Sequence, residues 1–202
     1  MIVRNGTLPV MEAFYSIQGE GFHQGKAAYF IRLGGCDVGC VWCDVKESWS
    51  DDHPVEKVDE IVKNASKVPS RIAIITGGEP LMHTLDELTS TLKAAGFSTH
   101  LETAGAHQLS GSWDWICLSP KKLKKPKQEI LTIADELKVI IYNKSDFDWA
   151  LSYQQKVLDS CKLYLQPEWS KQKEMLPKII DFIKEYPSWE ISLQSHKFMD
   201  IP

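Results

Sequence analysis

Short runs of β-branched and apolar residues alternate with stretches of helical spacing along most of this chain, and few architectures accommodate that order. Residues 29–33, 72–76, 98–102, 115–119, 137–141 and 163–166 read as strands. Residues 55–67, 84–95, 145–159 and 171–186 read as amphipathic helices, the last with Met175, Ile179, Ile180 and Ile183 on one face. Thr84, with Glu87 completing a capping box, and Ser145 are the expected N-caps, and Gly96 the expected C-cap. Strands alternating with helices call for an α/β fold, a parallel sheet with right-handed crossovers. About six such units make an open, partial TIM-like barrel rather than a full eightfold one. No linker, shared repeat or low-complexity segment interrupts the pattern, so residues 1–202 are expected to form a single domain.

In such a sheet the chemistry gathers at the C-terminal ends of the strands. The conspicuous polar residues fall there. Cys36 to Cys43 follow the first strand, Thr76-Gly77-Gly78-Glu79-Pro80 ends the second, and Glu102-Thr103 the third. Ser119-Pro120-Lys121 ends the fourth and Gln166-Pro167 the last. Any one of these alone is ordinary turn chemistry; five on one rim mark a site. The cysteines carry the most information. Cys36, Cys40 and Cys43 have C-x3-C-x2-C spacing and no fourth cysteine nearby. A structural zinc site takes four ligands, usually as two separated pairs. Three close thiolates suit a cubane iron–sulfur cluster in which one iron keeps an open position. The competing reading is a zinc knuckle borrowing His53, His83 or His196 as its fourth ligand.

Composition narrows the class further. Apolar residues make up 43% of the 202, enough for one buried core, and the 25% that are charged are spread without long runs. A formal net charge of −4 argues against a general nucleic-acid binder, and the lysine-rich run 121–127 reads as a solvated loop apart from Lys121. No apolar stretch is long enough to span a bilayer and the N-terminus has no signal-peptide pattern, so no membrane association is expected. Five cysteines, three of them bunched, do not make a disulfide framework. Cys117 and Cys161 sit in strand-like runs and are expected to be buried thiols. A reducing, cytoplasmic setting is the expectation.

The cysteine spacing, with Trp42 before the last cysteine, resembles the signature of the radical S-adenosylmethionine superfamily. That resemblance implies that Cys36, Cys40 and Cys43 hold a 4Fe-4S cluster whose fourth iron is chelated by the amino and carboxylate groups of S-adenosylmethionine. One electron then cleaves the sulfonium, and the 5′-deoxyadenosyl radical released takes hydrogen from the substrate. It also assigns Trp42, Cys43, Asp44, Gly78, Glu79, Ser119, Pro120 and Lys121 to the S-adenosylmethionine site. The glycines allow close backbone approach, Glu79 accepts from the amino group, and the serine-proline-lysine turn meets the ribose or carboxylate.

Three further segments sharpen the resemblance. S-I-Q-G-E-G (Ser16 to Gly21), F-I-R-L-G-G-C (Phe30 to Cys36) and T-G-G-E-P, followed by serine-proline-lysine and His196-Lys197, occur in the order found in the 7-carboxy-7-deazaguanine synthase family. The similarity covers nearly the whole chain. It implies a partial-barrel homodimer that contracts the ring of 6-carboxy-5,6,7,8-tetrahydropterin to 7-carboxy-7-deazaguanine with loss of ammonia. This chemistry lies on the route to queuosine and related deazapurines, with a flavodoxin or ferredoxin as reductant. Ile17, Gln18, Gly19, Arg32, Thr76 and Pro202 are the implied substrate contacts, with Gln18 offering a donor and acceptor and Arg32 a fork for the carboxylate. Glu102, Lys138 and Gln166 are additional rim candidates. At one position the chain departs from the family pattern. The residue two after the last cysteine is usually a threonine that ligates Mg2+, and here it is Val45. Magnesium would then rely on substrate, backbone or Asp44, or Lys46 would supply the charge instead. Two alternatives stand beside this reading: a radical activase that generates a glycyl radical on a partner enzyme, and a zinc-stabilised binding module without chemistry.

Overall fold

A computed structural model describes residues 6–202. In chain order the elements are β1 (Thr7–Ile17), β2 (Ala27–Leu33), β3 (Val55–Lys57), α1 (Val58–Ala65), β4 (Ile72–Gly77), α2 (Asp86–Ala94), β5 (Ser98–Thr103) and β6 (Trp115–Leu118). They continue as α3 (Gln128–Leu131), β7 (Glu136–Ile141), α4 (Ser145–Gln154), β8 (Lys162–Pro167), α5 (Gln172–Glu185), β9 (Trp189–Ile191) and α6 (Ser195–Met199). One nine-stranded sheet runs β3-β1-β2-β4-β5-β6-β7-β8-β9. From β2 to β9 every neighbour is parallel, while β1 is antiparallel to both β2 and β3. The two ends do not meet, so the sheet is an open barrel, as the alternation of elements requires. No helix among the described residues is long and apolar enough to cross a membrane.

The strands divide their side chains between two jobs. Successive residues of a strand point to opposite faces. One face carries Ile31, Leu33, Ile75, Leu101, Leu118, Leu137, Val139, Ile141 and Leu165, all with no exposed surface, packed in the core with Ile61, Leu88, Leu92, Ile130 and Ile179. The other face, offset by one, carries Arg32, Thr76, Glu102, Lys138 and Gln166, which line an internal cavity. A parallel sheet covered on both faces by helices would read as unbroken apolar runs. Here one face looks onto the site, so polar residues alternate through the core strands.

Several local expectations are corrected. The hairpin of β1 with β2 and the short strand β9 lie outside the six-strand reading. Residues 55–57 form β3, paired to β1 through Pro9 and Val55, so the first helix begins at Val58. Thr84 does not cap α2: Leu85 occupies the N-cap without a side-chain bond, and its N–H reaches the Ser110 hydroxyl at 3.2 Å. The fully buried Leu85 side chain sets that start. Ser145 is the first residue of α4 rather than its cap, its hydroxyl bonded to Asn143 Oδ1 at 2.7 Å. Gly96 takes a left-handed conformation (φ 82°) just past α2, as expected. Ile180 turns outward, 42% exposed, while Met175 and Ile179 are buried.

Candidate active site

Two motifs 40 residues apart in sequence meet as one piece of backbone. The N–H of Gly78 donates to the carbonyl of Leu33 (3.0 Å) and that of Glu79 to the carbonyl of Gly35 (2.8 Å), stitching the end of β4 to the start of the cysteine loop. A Cβ on Gly77 would lie 2.1 Å from Leu33 O, and one on Gly78 2.2 Å from Gly35 O. Gly77 also has φ 141°. Only glycine permits this approach. The loop continues through Gly35 and Gly39 in left-handed conformations, and the Cys43 N–H returns to the Cys40 carbonyl at 3.1 Å.

All three cysteines face a cavity of about 440 Å³ at the C-terminal ends of the strands. They are free and half-buried, whereas Cys117 and Cys161 are buried, as expected. Burial pushes the Cys36 and Cys40 thiols up, and the Lys121 ammonium draws Cys40 the other way. Among the described residues no three His, Cys, Asp or Glu gather as they would around a single metal ion. His53 and His83 turn their Nε2 atoms to the Glu47 and Gly34 carbonyls (3.0 and 2.8 Å), and His196 lines the same cavity beside Gly19.

Of the residues assigned to S-adenosylmethionine, Trp42, Cys43, Asp44, Gly78, Ser119 and Lys121 line this cavity. Glu79 and Pro120 do not. Glu79 is 1% exposed, and its carboxylate accepts from the Thr103 hydroxyl (2.5 Å) and from the Ala104 and Leu81 N–H groups (2.8 and 3.1 Å). It therefore braces β4 against β5, and its oxygens are occupied by that task. Burial pushes its carboxyl up, against the pull of those three donors. Pro120 is buried on the outer side, lining a second groove. Lys121 Nζ is held by the Ser119 carbonyl and hydroxyl, both at 2.6 Å. Asp44 Oδ2 accepts from Lys197 Nζ (2.8 Å) and Gln194 Nε2 (3.3 Å), tying the cysteine loop to α6. Burial opposes its charge, but Lys197 holds its carboxyl below the usual range.

The residues assigned to substrate all line the same cavity. Gln18 donates to Glu102 Oε1 (3.2 Å) and accepts from the Glu20 N–H (3.1 Å). The Gly19 carbonyl accepts from the Ser195 N–H and hydroxyl, both at 2.9 Å. Arg32 Nε pairs with Glu12 at 2.6 Å across the hairpin, and among the described residues its terminal nitrogens have no protein partner. The Pro202 carbonyl accepts from the Ser16 hydroxyl at 2.9 Å, which pins it to the end of β1 at the cavity mouth.

The floor holds a network that the sequence reading did not assemble. Lys138, 4% exposed, bridges Glu20 Oε2 (2.7 Å) and Glu102 Oε2 (2.9 Å), and Glu20 Oε1 accepts from Gln194 Nε2 (3.0 Å). Burial alone would raise the Glu20 carboxyl; the charge and hydrogen bond of Lys138 hold it down to about 2. Glu20 sits inside S-I-Q-G-E-G, yet nothing local links it to a lysine 118 residues away. Deeper on the same face of β7, Glu136 accepts from the Phe22 N–H and Trp115 Nε1 (both 3.2 Å) and from Cys117 Sγ (3.5 Å). Burial pushes Glu136 up to about 7, although Lys138 pulls it down. A folded-state value above the ordinary one means that the native state keeps a proton the unfolded chain releases. Stability from this group is therefore present at low pH and lost as pH rises towards about 7. Glu136→Gln should gain stability relative to the parent between about pH 5 and about pH 8, read from urea midpoints. An unchanged difference between the two pH values would contradict this placement of the proton.

An open parallel barrel whose first parallel strand feeds a three-cysteine loop, itself locked to a glycine strand end over a polar cavity, defines a radical S-adenosylmethionine enzyme. Residues 30–116 match the family model described as Radical SAM superfamily. The 7-carboxy-7-deazaguanine synthases of Flavobacterium psychrophilum and a Synechocystis strain are 56% and 48% identical to this chain, each over 96% of it and 93% of their own length. That of Escherichia coli K12 is 32% identical over 96% of this chain and 98% of its own. The crystal structure of QueE from Escherichia coli aligns with TM-score 0.84 at 28% identity, covering 94% of each chain. This chain belongs to the 7-carboxy-7-deazaguanine synthase family. Neither an activase nor a zinc module finds support in these relatives.

Proposed function

We propose that this chain contracts 6-carboxy-5,6,7,8-tetrahydropterin to 7-carboxy-7-deazaguanine with loss of ammonia, on the route to queuosine or a related deazapurine. One observation carries the reading: the three cysteines and the polar network on the floor share a single cavity with Arg32. The family implies a 4Fe-4S cluster and S-adenosylmethionine, which together supply reductive cleavage and hydrogen abstraction when bound.

The chain's own residues bind, orient and shield. Cys36, Cys40 and Cys43 hold the cluster, and the glycine stitch sets where their sulfurs point. The backbone at Gly78, with Ser119, Lys121, Trp42 and Asp44, forms the S-adenosylmethionine wall. The unpaired nitrogens of Arg32 receive the substrate carboxylate bidentately. Gln18, Glu20 and Glu102 offer hydrogen-bond groups to the pterin edge, fixed in place by Lys138. Thr76 adds a hydroxyl from β4, and Ile17, Gly19 and Pro202 close the mouth. The same reading makes the enzyme a cytoplasmic homodimer served by a flavodoxin or ferredoxin.

Magnesium has a reduced place in it. Val45 has no side-chain oxygen, and Asp44 is already engaged by Lys197 and Gln194. Lys46 supplies a nearby cation, held 6.0 Å over the Trp49 ring. Protein reconstituted anaerobically with iron and sulfide, then given S-adenosylmethionine, the pterin and dithionite, should yield the deazapurine chromophore. An intact cluster with no product would refute the assignment. After chelator treatment, added magnesium should raise the rate only slightly; a steep requirement would show that Val45 does not free the enzyme from the ion.

A further inference from the structure

We propose that Glu102, Cys117 and Glu136 form a proton relay that stores one proton beneath the cavity floor and lends it to the departing nitrogen. The inference deepens the function proposed above and rests on it, because a reaction that releases ammonia must move a proton from carbon to nitrogen.

Strand register sets the row. Glu102 of β5 stands opposite Cys117 of β6, and Cys117 opposite Glu136 of β7. Residues opposite one another on neighbouring strands share a face of the sheet. The row runs inward from the cavity. Glu102 lines the cavity, whereas Cys117 and Glu136, 2% and 3% exposed, do not reach it. Cys117 Sγ lies 3.5 Å from Glu136 Oε1 and is also hydrogen-bonded to Glu102. Gly21 seals the inner end, where a Cβ would lie 2.0 Å from Glu136 Oε1.

The two acids differ in their partners. Glu102 takes the Lys138 ammonium at 2.9 Å and the Gln18 amide at 3.2 Å, contacts that suit a carboxylate. Glu136 receives only neutral donors, the Phe22 N–H, Trp115 Nε1 and the thiol, while Lys138 gives its ammonium to Glu20 and Glu102. On β8, Lys162 stands opposite Glu136 in register but is exposed, and burial keeps Cys161 a thiol and Tyr164 a phenol. A buried carboxyl with no cation bonded to it holds its proton, and burial here pushes Glu136 up to about 7. Burial also pushes Cys117 well up, so the link between the acids is a thiol, at once a weak donor and a weak acceptor.

At rest the proton is on Glu136. It passes to the sulfur as the thiol passes its own proton to Glu102. Glu102 delivers that proton to nitrogen as the carbon–nitrogen bond breaks with its electron pair on nitrogen, and ammonia leaves. The Glu102 carboxylate then takes the proton of a ring C–H bond, whose pair becomes the new double bond, and the row carries it back to Glu136. One proton has moved from carbon to nitrogen, and nothing is oxidised or reduced. Cys117 and Glu136 act only through Glu102 and position its proton.

Two measurements test the relay. In the folded protein without substrate, an infrared pH titration should show the Glu136 carboxyl band fading near about pH 7, with the Cys117 S–H band shifting in step. Glu136→Gln should hold that S–H band constant across the titration. In turnover driven by dithionite, the parental kcat should fall as pH rises through about 7, because the store empties. Glu136→Gln and Cys117→Ala should each lower kcat about tenfold or more, flatten that fall and leave KM for the pterin unchanged. The double variant should be no slower than either single one. Cys117→Ser should recover most of the rate, since a hydroxyl also donates and accepts, whereas a merely space-filling thiol would be replaced equally well by alanine. Cys161→Ala, which removes a buried thiol outside the row, should keep the parental profile. A parental fall preserved in both row variants, an S–H band indifferent to Glu136, or an equal loss in Cys117→Ser and Cys117→Ala overturns the proposal. Absence of product in the parent would instead refute the function proposed above, while the infrared titration still decides whether the row is coupled.

Discussion

Cys43→Ala protein, reconstituted anaerobically, is expected to be nearly colourless, low in iron and sulfide, and no more active than a control without enzyme. The physical reason is ligand number. Three thiolates with one open iron is already the minimum set for this cluster type, and alanine offers no donor atom in place of sulfur. No neighbouring group stands ready to substitute. Asp44 is tied to Lys197, and His53 and His83 face backbone carbonyls. The fold should survive, because Cys43 is half-buried and the loop is held by backbone bonds at Gly78 and Glu79. Near-parental thermal unfolding with absent colour and absent product is thus the full expected pattern. Turnover at the parental rate would remove the basis of the functional reading.

Lys138→Met should produce the largest change in stability. The lysine is buried and serves two carboxylates at 2.7 and 2.9 Å. Removing one partner of a buried ionic group leaves uncompensated charge, with a cost of about 3–5 kcal/mol. Here two acids are left facing each other, so the upper part of that range is expected in urea unfolding near neutral pH. The pH dependence gives an independent check. The parental Glu20 carboxyl sits at about 2, below its ordinary 4.5, so its stabilising share is present above the ordinary value and lost as pH falls towards about 2. The deficit of Lys138→Met should accordingly shrink on acidification. Adding Glu20→Gln and Glu102→Gln should recover much of it. A deficit under about 1 kcal/mol would place these groups in effectively aqueous surroundings.

The sequence exposed what is local and hid what is distant. Strand and helix spacing gave the parallel sheet, and the cysteine run and the glycine-rich strand end each marked a segment that lines one cavity, because each is carried by neighbouring residues. The β1 hairpin was missed because Pro9 and Glu12 interrupt its apolar pattern; both are tolerated where β1 pairs with the short β3 and where Glu12 faces Arg32. Glu79 was assigned to the cofactor on its position in the motif, but its direction depends on Thr103, on another strand. The pairing of Glu20 with Lys138, and of Asp44 with Lys197, joins groups brought together only by the folded sheet. Side-chain type announces what a residue can do; tertiary packing decides which neighbour receives it.

The glycine clasp between β4 and the cysteine loop has a bearing on how such enzymes diverge. The loop is gripped at its base from an adjoining strand, and within it Asp37 is paired with Lys124, Val38 is buried and Gly39 holds a left-handed turn. Position 41, where Val41 is 76% exposed, is the one between the cysteines left open to drift or to deliberate redesign, whereas a methyl group at Gly77 or Gly78 would pry apart two segments at once.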